Sequence, residues 1–325
     1  MSVDPVSWRS DGRLVRRCGR SGLHLPTLGL ALGAASLGAG RRLHDMVSHA
    51  VELGVGHFDV TVPSASRREA EVALGGELGR WRAWRDELVI SVRLGLGSGP
   101  LPLRGFASRK QILSGLDGVL QRTGLEYVDV LYAHRWERGA SLEECAGALA
   151  DAVRRGKALY AGLSSMPVGI TGRMLDLLEQ AGVPAAVVQG SYALTDRGVE
   201  EGLLRLLAER GVGFVACAPL AHGDLSGVRQ PGWTVADEMV AGRVDAVAAS
   251  RGQSSAQLAL GWVLQRPGVA SALIGTTDPA HLAACCGALY AQPFTTSELA
   301  ALEACCPGPV RRRRTARPRA TVGSL

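Results

Sequence analysis

The 325-residue chain is 46% hydrophobic and 20% charged, which indicates a globular protein with a large apolar core. No apolar run reaches the ~18–20 residues of a membrane-spanning helix, and the N-terminus lacks the apolar segment of a secretory signal, so we expect a cytoplasmic protein with no membrane association. The formal net charge of +6 equals the six arginines found between Arg311 and Arg319, so the rest of the chain is formally neutral and a nucleic-acid partner is not indicated.

The first predicted element is a β-hairpin. Apolar residues on both sides flank the turn Gly19-Arg-Ser-Gly22, a Gly-rich sequence typical of a tight connection. Eight short apolar runs then alternate with longer amphipathic segments, the pattern of repeated βα units. The runs are Thr27–Leu32, His57–Val60, Leu88–Val92, Tyr127–Leu131, Ala158–Leu163, Ala185–Val188, Gly213–Cys217 and Ala270–Ile274.

The segments between these runs predict helices. They include Asp45–Leu53, Arg109–Gln121, Leu142–Arg155 and Glu200–Arg210, whose apolar residues recur at helical spacing. Eight strands with intervening helices predict an α/β fold, a closed (β/α)8 (TIM) barrel whose bottom the hairpin caps. A doubly wound open sheet is the alternative, but no Gly-x-Gly-x-x-Gly follows the first strand. Residues 223–240 lack periodicity, and we predict a long loop there.

The end of the chain predicts a tail. We expect one domain over residues 1–306, followed by a disordered Arg- and Pro-rich tail over residues 307–325 that buries almost nothing. An arm for anionic partners is the alternative interpretation of this tail. None of the seven cysteines forms a Cys-x-x-Cys pair, so we expect reduced thiols and no metal site.

Several motifs carry a family resemblance. They are RRCGRSGLHLPTLGL, SRKQILSGLDGVLQRTGLEYVDVLYAHRWE, ECAGALADAVRRGKALYAGLSS, VQGSYALTDR, CAPLAHGDLSG and ALIGTTDPAHL, which together span roughly Arg16 to Leu282. In this order they resemble the aldo-keto reductases, most of all the branch that contains the glyceraldehyde-3-phosphate reductases and the potassium-channel beta subunits. The resemblance implies a barrel with NADPH across its C-terminal mouth and a tetrad of Asp, Tyr, Lys and His beneath the nicotinamide.

The tetrad carries over at two of its four positions. Asp59 matches the Asp and His134 matches the His, whereas Ser64 stands at the Tyr position and Arg93 at the Lys position. A Ser hydroxyl is a much weaker acid than the phenol that protonates the carbonyl oxygen in the family. Arg93 stays protonated at any working pH, so it can clamp Asp59 or an anion but cannot exchange protons. His134 is therefore the main candidate for proton transfer.

Each of these residues has a structural alternative. Asp59 and Arg93 could form only a structural ion pair, since buried charges need partners. His134 could be a satisfied core histidine, although its place at the C-terminal end of a barrel strand favours function. We assign Ser64 and Trp136 to the substrate pocket, with a loop residue and an exposed aromatic plug as the respective alternatives.

The cofactor positions are retained at one end only. By resemblance, Ser164, Ser165 and Gln189 hold the nicotinamide carboxamide, and Tyr192 is a nearby wall or stacking ring. At the adenosine end, Asp278 replaces a basic residue that meets the 2′-phosphate, an arrangement that repels it. The other departures at this end are Ala284, Cys285 and Val228. We therefore expect no required cofactor, with NADPH or NADH as the alternatives.

Three functions remain open from the sequence. The first is a redox-neutral enzyme (a dehydratase, isomerase or cyclase) in which Asp59, Arg93 and His134 act on a small carbonyl or polyol metabolite, in keeping with bacterial secondary metabolism. The second is a non-catalytic pseudoenzyme that binds a partner, and the third is a reductase with an unusual proton donor. The fold alone does not choose among them. A small-molecule substrate is expected, and an oligomer or a protein partner stays open.

Overall fold

Eight parallel strands close into a barrel in the computed structural model, which describes residues 14–32, 41–61, 68–94, 108–136, 141–228 and 232–306. The strands are β3 (Leu28–Leu32), β4 (His57–Thr61), β5 (Val89–Leu94), β6 (Val128–His134), β7 (Ala158–Ser164), β8 (Val187–Ser191), β9 (Gly213–Cys217) and β10 (Val269–Ile274). Neighbours follow chain order, and β10 pairs with β3 to close the ring. The predicted (β/α)8 barrel is confirmed, with strand ends that differ from the prediction by a few residues.

Ten α-helices surround the barrel within the described ranges. They are α1 (Arg41–Glu52), α2 (Arg68–Arg80), α3 (Arg109–Thr123), α4 (Leu142–Arg154), α5 (Val168–Gln180), α6 (Leu203–Arg210), α7 (Val235–Ser250), α8 (Ser255–Leu264), α9 (Pro279–Cys286) and α10 (Thr296–Cys305). Helix α4 shows why they form: Ser141 caps its N-terminus, and Cys145 and Leu149 lie on the face that packs on the sheet.

The loop predicted over residues 223–240 is wrong in its second half, because α7 begins at Val235. Thr234 and Asp237 form a capping box, in which each side chain accepts a hydrogen bond from the backbone N–H of the other residue. Helix α7 buries only Val244 and Ala248 and leaves Val235 and Met239 exposed. The apolar residues of α7 therefore do not lie on one face of the helix, and for this reason the sequence shows no helical periodicity there.

The N-terminal hairpin closes the bottom of the barrel. Strands β1 (Val15–Arg17) and β2 (His24–Pro26) pair in antiparallel fashion, as predicted. The Arg16 guanidinium donates to the carbonyls of Leu264 and Val269, just before and at the start of β10. Gly19 has a left-handed backbone, and a Cβ there would overlap the backbone of residues 211–213. The hairpin is thus held tightly against the strand N-termini.

Inside the barrel, side chains alternate with those that face the helices. Gly29 and Gly162 leave room for two large neighbours: a Cβ on Gly29 would lie 2.9 Å from Nδ1 of His57, and one on Gly162 would lie 2.5 Å from Cδ1 of Tyr132. His57 and Tyr132 therefore fill the middle of the barrel, beneath the residues at its mouth. No helix among the described residues is long and apolar enough to cross a membrane.

The seven cysteines are free thiols distributed over the hairpin, the sheet and the helices. Burial raises the pKa of Cys18 and of Cys145 to about 12, so both thiols stay protonated at neutral pH. They pack as small hydrophobic side chains. The Arg-rich tail lies outside the described residues.

Candidate active site

Asp59 and Arg93 form an ion pair at the C-terminal mouth of the barrel. Asp59 lies on β4 with no exposed surface, and its Oδ2 is 2.9 Å from Nη2 of Arg93 on β5. The contact is ionic and lacks the alignment of a hydrogen bond. Nη2 of Arg93 also donates to the Thr61 hydroxyl. The two strands are neighbours, so the pair expected from the sequence is present in the structure.

The other carboxylate oxygen of Asp59 accepts two hydrogen bonds. The Ser91 hydroxyl donates to Oδ1 at 2.7 Å, and Nε2 of Gln189 donates to the same atom at 3.1 Å. Ser91 also lies 3.0 Å from Nε2 of His57. Strand β8, which carries Gln189, lies four strands from β4 in either direction around the ring. The amide of Gln189 therefore reaches Asp59 across the full width of the barrel.

His134 belongs to the same polar network through the ends of β6, β7 and β8. Its Nδ1 lies 2.9 Å from the Ser164 hydroxyl, which donates to Oε1 of Gln189 at 2.9 Å. The three residues occupy paired positions on adjacent strands. We call the chain His134, Ser164, Gln189, Asp59, Ser91 and His57 the mouth network.

The electrostatics of the mouth network keep both histidines neutral. Burial lowers the pKa of His57 to about 4, with Asp59 opposing the shift. Burial, Arg93 and Arg135 lower the pKa of His134 to about 4. Burial also opposes the charge of Arg93, but Asp59 outweighs it and raises the pKa of that guanidinium. At neutral pH the network thus holds one carboxylate paired with one guanidinium, and two uncharged imidazoles.

Residues with a left-handed backbone conformation follow three of the barrel strands at this mouth. Arg135, Ser165 and Ala218 have φ angles of 61°, 56° and 49°, and each comes directly after the last residue of β6, β7 or β9. The backbone N–H of Arg135 donates to the carbonyl of Ser164, and that of Ser165 donates to the carbonyl of Gln189. These bonds offset the strain of a left-handed backbone, about 1–2 kcal/mol per residue. They also fix the strand ends that carry the mouth network.

The remaining predicted pocket residues lie in different places. Ser165 is exposed at the mouth, next to Ser164, whose side chain is buried. Trp136 follows His134 by two residues and packs its partly buried ring against the core. Ser64 lies outside the described residues. The structure therefore brings together Asp59, Arg93, His134, Ser164 and Gln189 from the predicted set.

The position expected for Tyr192 is wrong. Its ring is fully buried in the layer between the sheet and α8, with ring centroids 6.1 Å from Phe214 and 5.5 Å from Trp262. Its hydroxyl donates to Glu200 at 2.7 Å. The residue follows Ser191, the last residue of β8, and turns away from the barrel axis. Tyr192 is therefore a core residue that cannot stack on a ligand at the mouth.

The residues expected at the adenosine end carry no positive charge. Asp278 is the exposed N-cap of α9, where its carboxylate accepts from the Ala280 N–H at 2.9 Å. Cys285 is fully buried, and Val228 is 64% exposed with no charge to offer a phosphate. A nearby cavity of about 50 Å³ has room for a few water molecules. It is lined by Asp224, Leu225, Gly227, Trp233, Ala241, Val244, Asp245 and Ser255.

Two of the carboxamide positions take part in the mouth network. The side chains of Ser164 and Gln189 are buried, and their bonds run to His134 and Asp59. Beyond these bonds the Gln189 amide keeps a second N–H and a second lone pair. The retained carboxamide positions are thus hydrogen-bonded within the protein, whereas Asp278, Cys285 and Val228 offer no positive charge to a phosphate.

Sequence reasoning missed several residues that build the site. Ser91 and His57 belong to the mouth network, and Tyr132 and Cys217 lie close enough to influence the charge of Arg93. Burial raises the pKa of Tyr132 well above its ordinary value and that of Cys217 to about 12, so neither is a ready proton donor. The missed signal is the alternation of polar residues within the apolar strands HFDVT and VISVRL, which places them all on the inner face.

The chain is similar to known proteins over most of its length. The profile of the Aldo/keto reductase family matches residues 29–307, which contain the whole mouth network. The chain is 37% identical over 316 residues to L-glyceraldehyde 3-phosphate reductase of Escherichia coli (strain K12), covering 89% of this chain and 91% of that protein. The protein of the same name from Escherichia coli O157:H7 is similar to the same extent, 37% over 316 residues.

Proposed function

This chain belongs to the aldo/keto reductase family, and we propose that it is an enzyme that moves protons within a substrate instead of transferring hydride to it. The proposed substrate is a small carbonyl or polyol metabolite of the cytoplasm. The reaction is redox-neutral, an isomerisation, dehydration or cyclisation. His134 transfers the proton, and Arg93 with Asp59 supplies the fixed charge beside it.

One observation carries this proposal. Among the described residues, only His134 is a neutral base that lies at the end of a barrel strand and beside a fixed cation. Its pKa of about 4 leaves it unprotonated at neutral pH, and it is 5% exposed at the mouth. Arg93 keeps its charge beside Asp59, so it stabilises negative charge without exchanging a proton. A base next to a fixed cation suits the removal of a proton from carbon next to a carbonyl group.

The chemical step balances within the substrate. His134 takes a proton from the carbon next to the carbonyl, and the electron pair of that C–H bond forms a C=C bond. The carbonyl π pair moves to oxygen, whose negative charge the Arg93 guanidinium stabilises. Where the α-carbon carries a hydroxyl group, the proton of that hydroxyl moves to the enolate oxygen as His134 returns its proton to the former carbonyl carbon, and the isomeric hydroxy-carbonyl compound forms. Transfer of the His134 proton instead to a departing hydroxyl group on the next carbon releases water and gives a dehydration product.

We also propose that no nicotinamide cofactor is required. Support comes from the buried and internally bonded Ser164 and Gln189, from Tyr192 in the core, and from the Asp278 carboxylate at the adenosine end. An acid at that end repels a phosphate in a partly desolvated site. We expect NADPH to bind with a dissociation constant weaker than about 1 μM at physiological salt.

An NADPH-dependent carbonyl reductase is the second candidate, and the comparisons favour it. The relatives in Escherichia coli are named reductases, and the 37% identity extends over most of both chains. This candidate needs a proton donor other than Ser64, whose hydroxyl is a weak acid. It predicts tight NADPH binding and consumption of NADPH with a carbonyl substrate.

Deuterium exchange tests the proposed function without knowledge of the natural substrate. The protein is incubated in D2O with a panel of small hydroxy-aldehydes and hydroxy-ketones, and loss of the α-proton signal is followed by NMR without nucleotide. We expect exchange that His134→Gln slows by a factor of about 10²–10⁴. His24→Gln, an exposed histidine on β2 at the opposite end of the barrel, is the matched control and should exchange like wild type. Turnover that consumes NADPH, with no exchange in its absence, would establish the reductase instead.

A further inference from the structure

The mouth network has a defined direction, which begins at Asp59. The ion pair with Arg93 keeps Asp59 as a carboxylate, and a carboxylate only accepts hydrogen bonds. Both contacts to Oδ1 must therefore be donated to it, by the Ser91 hydroxyl at 2.7 Å and by the Gln189 side chain at 3.1 Å. Only the amide nitrogen of Gln189 can donate, so that nitrogen faces Asp59.

The orientation of Gln189 then fixes the proton of Ser164. With the amide nitrogen on Asp59, the amide oxygen of Gln189 is the atom 2.9 Å from the Ser164 hydroxyl. An amide oxygen only accepts, so Ser164 donates its single proton to Gln189. The Ser164 oxygen can then only accept from its other neighbour, Nδ1 of His134 at 2.9 Å.

The hydrogen bond to Ser164 determines which nitrogen of the His134 imidazole carries the proton. Nδ1 must carry a proton in order to donate to Ser164, and the ring is neutral at pH 7 because its pKa is about 4. A neutral imidazole has one proton, so Nε2 carries a lone pair. Nε2 has no hydrogen bond among the described residues, and it is the nitrogen left to face the mouth.

We propose that Asp59, acting through Gln189 and Ser164, holds His134 in the Nδ1–H tautomer, so that Nε2 is the proton acceptor of the active site. Gln189 and Ser164 are positioning residues in this arrangement, and Asp59 sets the polarity. The inference rests on the proposed function and specifies it: this histidine takes a proton from the substrate. A histidine that donates to a carbonyl oxygen from Nε2 would need the opposite tautomer.

His57 is expected to have the opposite tautomer. Ser91 donates its only proton to Asp59, so its oxygen accepts from Nε2 of His57 at 3.0 Å. His57 is therefore the Nε2–H tautomer, with its lone pair on Nδ1, for which no hydrogen-bond partner exists among the described residues. One carboxylate thus sets two histidines in opposite tautomers, and His57 is an internal reference for His134.

Nitrogen-15 NMR of the histidine side chains tests this inference on the full chain at pH 7 without substrate. Long-range couplings between ring protons and nitrogens identify the tautomer of each histidine, and His134→Gln and His57→Gln assign the two signals. We expect Nδ1–H for His134 and Nε2–H for His57 in wild type. An Nε2–H tautomer for His134 would overturn the proposal, whether or not the protein catalyses deuterium exchange. If wild type shows the expected tautomers but catalyses no deuterium exchange, only the proposed function would be contradicted.

Variants test the relay itself. Gln189→Met removes the acceptor of the Ser164 proton, which frees Ser164 to donate to Nδ1 of His134 and should shift that histidine toward the Nε2–H tautomer. Ser164→Ala, a smaller change, should also end the dominance of the Nδ1–H form. Ser91→Ala is the matched control, since it removes the partner of His57 and should leave His134 unchanged. A His134 that stays Nδ1–H in both Gln189→Met and Ser164→Ala would contradict the relay.

Discussion

The guanidinium of Arg93 lies 2.9 Å from the carboxylate of Asp59, and the two side chains differ in exposure: 16% for Arg93 and none for Asp59. The carboxylate is thus the more deeply buried partner, and water reaches the pair only from the arginine side. A charge without access to water needs its partner in order to stay in the protein interior. The pair is a structural element of the mouth as well as its source of charge.

Removal of Arg93 alone should therefore be strongly destabilising. We expect Arg93→Met to lower the free energy of unfolding by about 3–5 kcal/mol, because it leaves Asp59 buried without a cation. The double variant with Asp59→Asn should recover part of that loss. Urea denaturation measures both. The control is Arg173→Met, whose contact with Glu143 is 3.7 Å long and 63% exposed on each side, and it should change stability by less than about 1 kcal/mol.

His57 should make the protein sensitive to mild acid. Its pKa falls from 6.5 in the unfolded chain to about 4 in the fold, so below pH 6.5 the unfolded state binds a proton that the folded state does not. Stability is therefore lost as the pH falls from about 6.5 toward 4. Between pH 7 and pH 5, His57→Gln should lose roughly 2 kcal/mol less of its free energy of unfolding than wild type. Equal losses in urea denaturation at both pH values would contradict the assignment.

The pH–rate profile of proton exchange should fall only at unusually acidic pH. Because burial, Arg93 and Arg135 lower the pKa of His134 to about 4, the rate should be constant above pH 6 and fall as the pH drops through about 4. Arg135→Asn removes one of these causes and should move the limb to higher pH. The measurement is the pH dependence of deuterium exchange in short assays. A wild-type limb near pH 6.5 would show that His134 is an ordinary exposed histidine.

Gly162 should tolerate no side chain. A Cβ there would lie 2.5 Å and 2.6 Å from two ring carbons of Tyr132, which is fully buried and has no room to move. We expect Gly162→Ala to lower the free energy of unfolding by about 1–3 kcal/mol, as overpacking does in other cores. Gly147→Ala on α4, where a Cβ would meet nothing within 4 Å, is the control and should be neutral or stabilising. Thermal unfolding of the two variants separates packing from helix propensity.

Ala218 offers a stabilising substitution. Its φ of 49° is left-handed, which strains any residue with a Cβ and suits glycine. Ala218→Gly should raise the free energy of unfolding by about 0.5–1 kcal/mol, the relief of strain minus the added freedom of the unfolded chain. Ala216→Gly, two residues earlier on β9 and with a buried methyl group, should instead lower it. A loss of stability in both variants would show that the left-handed turn is not strained.

The architecture of the barrel could be predicted because every strand carries its own apolar run. The apolar run of β9 coincides with the strand, whereas the apolar run of β6 ends at Leu131 and the strand continues through three residues that are not uniformly apolar. The helix after residue 234 was missed because its apolar residues do not follow one face. Local sequence patterns thus predict a helix or strand when one of its faces, or the whole element, is buried. They fail when its buried residues do not lie on one face.

The site was predictable only in part. Asp59, Arg93 and His134 follow strand order, so their meeting at one mouth could be expected. The bond between Gln189 and Asp59 joins residues 130 positions apart across the closed ring, and no local pattern predicts it. Tyr192 illustrates the reverse case: it follows a strand end at the right place in the sequence, but its ring turns outward into the core.

Closure of the ring between β3 and β10 has a consequence for synthesis of the protein. Strand β3 is the first strand of the barrel to leave the ribosome, and its second neighbour, β10, is the last. The carbonyl of Val269, which accepts a hydrogen bond from Arg16, emerges with β10. A nascent chain that ends after β9 has an open sheet edge at β3 and no seal at its base. The interior that encloses Asp59 is therefore complete only when β10, the last strand of the barrel, has paired with β3.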